Sequence, residues 1–111
     1  MKIDIAVARL AALAQTSRLS VFRLLVQKGP DGMAAGEIAE RLGIATTTLS
    51  FHLKELSQAG LLKSRQQGRF IYYAPDFKAM NGLIGYLTEN CCVGSAEPKV
   101  CATPALCDVK A

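Results

Sequence analysis

Between Ala45 and Pro75 the hydrophobic period of the chain changes once, and that change restricts the fold more than any other feature. Leu49, Leu53 and Leu56 recur at helical spacing, and Gly60 halts the pattern. Two β-rich runs follow at once, Leu61 to Arg65 and Phe70 to Ala74, joined by Gln66-Gln67-Gly68-Arg69 and closed by Pro75. Gly68 supplies the turn conformation of a hairpin. A helix from about Ala45 to Ala59 therefore runs straight into a two-stranded β-hairpin.

The flanking segments read as helices. Ile5, Ala8, Leu10 and Leu13 mark a first helix, and Thr16 or Ser17 can cap a second whose apolar face carries Leu19, Phe22, Leu25 and Val26. The turn cluster Gly29-Pro30-Asp31-Gly32 ends it. A short third helix spans about Ala35 to Leu42, with Ile38, Ala39 and Leu42 inward and Gly43 as its stop. A last helix runs from about Asp76 to Asn90 with Phe77, Met80, Leu83, Ile84 and Leu87 on one stripe. The expected fold class is mainly α with a small β-hairpin, in the order α-α-α-α-β-β-α, a winged helix-turn-helix. Residues 1–92 form one DNA-binding and dimerisation domain, and residues 93–111 a flexible, weakly periodic tail that carries cysteines.

Charge and cysteine placement narrow the function. The net charge is +4, and four of the five charged residues from Lys54 to Arg69 are basic, the exception being Glu55. Such a stripe can meet phosphate or be a solvated face. No apolar run approaches the roughly 18 residues that cross a bilayer. The N-terminal stretch is interrupted by Asp4 and Arg9 and has no cleavage signal, so it is not read as a signal peptide and a cytoplasmic location is expected. All four cysteines, Cys91, Cys92, Cys101 and Cys107, fall after the last helical stripe, whereas a secreted disulfide scaffold spreads them through its core. With one histidine, no phosphate-cradling Gly-rich loop and no convergent carboxylates, the chain is not expected to be an enzyme or to hold a catalytic cofactor.

The helix before the hairpin carries a face suited to a DNA groove. Taking Leu53 as the centre of its buried side, Thr47, Phe51 and Lys54 point away, with Thr48 and Ser50 on the flanks. Thr46, Thr47, Thr48 and Ser50 can exchange hydrogen bonds with base edges, and Phe51 can pack on a thymine methyl or cover core. Lys54, Arg65, Gln67 and Arg69 lie where phosphates would flank that groove. His52 stands at the edge of the core face, where a structural role outweighs a base contact. Tyr72 and Tyr73 alternate across their strand, so one packs inward.

The string Ser50-x-His52-Leu53-x-x-Leu56-x-x-Ala59-Gly60-Leu61-Leu62, followed by Gly68-Arg69-x-x-x-Tyr73, closely resembles the ArsR/SmtB family of metal-responsive repressors, as does the segment LAQTSRLSVFRLL from Leu13 to Leu25. The resemblance covers roughly residues 5–92. It implies a homodimer built from the first and last helices, with Ile5 and Leu10 on the first, and the apolar stripe of the last helix independently offers Phe77, Met80, Ile84 and Leu87 for that interface. A two-fold dimer would read a pseudo-palindromic double-stranded operator with half-sites about 34–36 Å apart.

The cysteines offer a sensing site. Soft thiolates select soft ions, and a loop between Cys92 and Cys101 could bring Cys101 to Cys91 and Cys92 as a third sulfur for arsenic(III) or antimony(III); an organoarsenical would need only two. Relatives that sense through a Cys-x-Cys pair on the third helix, or through His and carboxylates on the last, differ from this chain, which has neither. What remains resembles the arsenic sensors with a vicinal cysteine pair after the last helix. Four thiolates, Cys107 included, would instead suit zinc or cadmium, and a disulfide would make a redox switch. A metal-buffering protein would need only the tail and would leave residues 45–73 unexplained.

Overall fold

The computed structural model describes residues 1–92 in an order of five helices and three strands: α1 (Ile3–Leu13), α2 (Thr16–Lys28), β1 (Met33–Ala34), α3 (Ala35–Leu42), α4 (Thr46–Gln58), β2 (Leu62–Gln67), β3 (Phe70–Pro75) and α5 (Phe77–Leu87). The mainly helical fold with a small wing agrees with the sequence reading. Its core is a single apolar cluster in which Val21, Leu25, Met33, Ile38, Leu49, Leu56 and Leu61 are sealed from solvent. The leucine stripe of α4 sits at its centre, as its helical spacing predicts. Leu42 is only half-buried, and Gly43 ends α3 in the left-handed conformation.

Several boundaries differ from expectation, each for a local reason. The hairpin is part of a three-stranded antiparallel sheet in the order β1-β3-β2, with Met33 opposite Tyr73 and Ala34 opposite Tyr72. Two residues are too few for a periodic signal, so β1 went unread. Gly32 admits it: with φ +81°, a Cβ there would stand 2.7 Å from the Tyr73 carbonyl oxygen. The first wing strand, β2, runs two residues further towards the tip than expected, to Gln67, while β3 begins at Phe70 as expected. Gln66 pairs with Ile71 and Gln67 with Phe70, which leaves Gly68 and Arg69 alone as the turn. Backbone pairing carries the strand past the point where alternating hydrophobicity stops.

Helix ends are also shifted. α1 begins at Ile3, two residues before the first expected apolar position. The cap of α2 is Gln15, not Thr16 or Ser17, because the Gln15 side chain accepts from the Arg18 amide at 2.8 Å. Val21 is buried in α2, while Leu19, expected on its core face, is exposed. The last helix is capped by Asp76, whose carboxylate accepts from the Ala79 amide at 3.0 Å, and it stops at Leu87 rather than Asn90. Gly82 and Gly85 weaken that helix, and the Thr88 hydroxyl turns back onto the Ile84 carbonyl at 3.0 Å.

Candidate nucleic-acid interface and cysteine pair

α4 separates its two faces cleanly. Leu49, His52, Leu53 and Leu56 are buried, whereas Thr46, Thr47, Thr48, Ser50, Phe51 and Lys54 are all exposed. Thr47, Phe51 and Lys54 are spaced i, i+4 and i+7 and so form one outward stripe, with Ser50 beside it. Phe51 is 54% exposed, which rules out the core-covering role that the sequence left open. An aromatic ring held in solvent among short hydroxyl side chains costs apolar hydration that a groove lined with thymine methyls would relieve.

His52, at 6% exposure, is the one buried polar side chain among the described residues. Its Nδ1 has no hydrogen-bond partner, and its ring lies 5.9 Å from that of Phe51. It faces the core, in keeping with a structural role rather than a base contact.

The wing presents one polar face. By the strand register, Lys63, Arg65, Gln67, Phe70, Tyr72 and Ala74 share a side of the sheet. Arg65 is heavily engaged there. Its guanidinium donates to the Asp31 carbonyl at 2.7 Å, donates to the Gln67 side chain, and lies over the Tyr72 ring at 4.8 Å. Arg65 thus braces the wing against the turn before β1, and Gln67 holds its guanidinium in place. Arg69 stands exposed at the tip, and no ion pair engages it or Lys54 among the described residues. Tyr73, on the opposite side, packs against the core, which settles which of the two tyrosines is inward.

The residues expected at a dimer contact divide. Ile5, Leu10, Ile84 and Leu87 are exposed, the last two at 48% and 58%. Phe77 and Met80 are half-buried, and Met80 packs on the chain's own core. Ile3 and Val7, which sequence reasoning missed, are exposed on α1 together with Leu10. Their i, i+4, i+7 spacing was the available signal. An apolar groove of about 360 Å³ opens between α2 and α5, lined in part by Leu19, Phe22, Met80, Leu83 and Ile84.

Cys91 and Cys92 lie past the end of α5, in a turn, not on its last helical residues. The Cys91 amide donates to the Thr88 carbonyl at 3.0 Å, and Cys92 has φ +66°. Their sulfurs are 3.3 Å apart, far beyond the ~2.05 Å of a disulfide. Two thiolates on a tetrahedral zinc with ~2.3 Å bonds would stand about 3.8 Å apart. A small opening would therefore let both sulfurs reach one ion. No group of three or more His, Cys, Asp or Glu side chains converges among the described residues, and Cys101 and Cys107 lie outside them. No helix among these residues is long and apolar enough to cross a membrane.

Residues 13–65 match the model of a family described as a helix-turn-helix domain. The arsenical resistance operon repressor of Bacillus subtilis (strain 168) is 32% identical over 82 residues, which is 74% of each chain. An ArsR-like transcriptional regulator from Rhodococcus sp. RHA1 superposes with a TM-score of 0.69 at 26% identity, over 77% of each chain. A homodimeric winged helix-turn-helix DNA-binding domain from Mycobacterium bovis gives a TM-score of 0.63 at 29% identity, covering 80% of this chain and 82% of that one.

Proposed function

Because the chain belongs to the ArsR family of winged helix-turn-helix transcriptional regulators, we propose that it is a homodimeric repressor whose hold on operator DNA is released by a soft thiophilic ion, trivalent arsenic first among them. The observation that carries the DNA half is the outward stripe of α4. Its hydroxyl-bearing Thr47 and Ser50, its solvent-held Phe51 and its Lys54 form a face that no other element among the described residues covers. α4 enters the major groove, its first two turns read base edges, and Lys54 and Arg69 neutralise phosphates on either side.

The dimer is formed by α1 and α5, which carry the exposed apolar side chains Ile3, Val7, Leu10, Ile84 and Leu87. The likeness to a homodimeric Mycobacterium bovis domain supports pairing as such.

The effector half rests on the neighbouring sulfurs of Cys91 and Cys92 at the end of the dimerisation helix. Soft ligands select soft ions, and the likeness to an arsenical resistance operon repressor points to the same ion. Cys101 supplies the third thiolate. Binding draws the chain beyond α5 onto the helix end and favours a dimer arrangement whose recognition helices no longer fit the operator. The coupling is reciprocal, so DNA weakens ion binding by the factor by which the ion weakens DNA binding.

The test is an arsenite titration of the reduced protein on its promoter fragment, with Cys91→Ser, Cys92→Ser, Cys101→Ser and Cys107→Ser alongside. Release abolished by the first three substitutions and untouched by the fourth is the expected result. A complex insensitive to arsenite but released by zinc or cadmium in a Cys107-dependent way would replace the effector with a tetrahedral metal.

A further inference from the structure

α1 and α4 have separate duties in that reading, one towards the partner subunit and one towards DNA, yet a side-chain hydrogen bond joins them. Arg9, on α1, donates from Nε to the Ala59 carbonyl at 3.0 Å. Ala59 is the C-cap of α4, so this is one of the helix's last carbonyls, which have no partner within the helix. A guanidinium there also meets the negative end of the helix dipole. The arrangement is close on the next residue too: a Cβ on Gly60 would lie 3.1 Å from the Arg9 Nη2. α1 is itself held at its C-terminus by a second arginine, since Arg18 on α2 donates from Nε to the Ala12 carbonyl at 2.7 Å. Both bonds are partly buried.

We infer that Arg9 is a positioning residue for DNA recognition: it fixes the C-terminal end of the recognition helix to the dimerisation helix, so that the spacing of the two recognition helices follows the dimer arrangement. This rests on the repressor reading above. Its chemistry explains why the contact is an arginine. The side chain must reach from one helix to another helix's end, present a directional donor there and keep its charge in a partly buried setting. The groove between α1 and α4 is bordered by the small side chains of Ala8, Ala11, Ala12 and Ala59, together with Arg18, Glu55 and Gln58. The alanines there supply contact without direction, and the hydrogen bond from Arg9 supplies the directed contact that sets the angle.

The test uses the full chain with Arg9→Met, which keeps the stem and removes the donor, and Arg9→Lys, which restores a donor of a different shape. Arg9→Met is expected to remain a folded dimer by circular dichroism and sedimentation. It should bind the operator roughly tenfold more weakly, with Arg9→Lys in between. Its salt dependence should equal the parent's, because no phosphate contact is lost; a direct phosphate contact would lower the log–log slope by about one per protomer. The amides of Ala59, Gly60 and Leu61, which close the end of α4 onto Glu55, Ser57 and Leu56, should exchange faster with solvent in Arg9→Met. Parent-like operator affinity, a reduced salt slope or parent-like exchange at those three amides overturns the inference. A parent chain that binds no promoter DNA counts against the repressor reading instead, and the strut then stands or falls on the exchange result alone.

Discussion

At Gly32 and Phe51 the demands of folding and of function come apart. Gly32 is required by the fold, because its positive φ and the Tyr73 carbonyl beside it exclude a side chain. Gly32→Ala should cost about 1–3 kcal/mol of stability, read as a lower urea midpoint with unchanged slope. Phe51 is the reverse case. More than half exposed, it contributes little to the core, so Phe51→Ala should move the stability by no more than about 0.5 kcal/mol. Operator affinity should nevertheless fall, as a binding titration on the same preparation would show. His52 was legible as a structural residue from its place beside Leu49, Leu53 and Leu56, but the orphaned Nδ1 was not. Hydrogen-bond partners depend on neighbours brought from distant parts of the chain, and helical spacing says nothing of them.

At the scale of elements, the parts read most easily were those with a long, regular signal. The α4 stripe and its stop at Gly60 specified the recognition helix almost to the residue. β1 was missed because it is two residues long and owes its existence to β3, not to its own pattern. The end of α5 was overrun because apolar residues continue to Leu87 and polar ones then give no break. The actual stop is made by Thr88 bonding back to Ile84 and Gly85. That difference matters for the site, since it places the cysteine pair in a turn whose backbone is not tied to helical geometry. The wing shows a related division of labour. Its sequence offered Arg65, Gln67 and Arg69 alike as DNA contacts, but Arg65 and Gln67 are bonded to each other, and Arg65 also to the Asp31 carbonyl. Arg65→Ala should therefore loosen the wing, with faster amide exchange from Gln66 to Ile71, while barely changing the global unfolding midpoint. Equal exchange in both proteins would mean that the brace carries no weight.

At the scale of the whole molecule, the described residues leave several apolar side chains exposed on two helices. Ile3, Val7 and Leu10 on α1 and Ile84 and Leu87 on α5 are the surface on which the proposed dimer rests. Introducing charge there, as Ile84→Glu with Leu87→Glu, should give a monomer by sedimentation at micromolar concentration and abolish operator binding while leaving helix content in place. A dimer that survives this double substitution would move the interface elsewhere. Four clustered cysteines suggested a thiophilic site in the sequence, but their spacing alone does not choose between three sulfurs and four, and Cys101 and Cys107 lie outside the described residues.

The central claim, that α4 of a dimer is the DNA-reading element, is tested most directly by an anisotropy titration of a labelled promoter fragment with the parent and with Thr47→Ala/Phe51→Ala. The account predicts saturation at two chains per duplex, a preference over unrelated DNA, and a double variant that folds and dimerises normally but binds roughly tenfold more weakly. A double variant that binds as tightly as the parent, or a parent that does not distinguish its promoter from unrelated DNA, would contradict it.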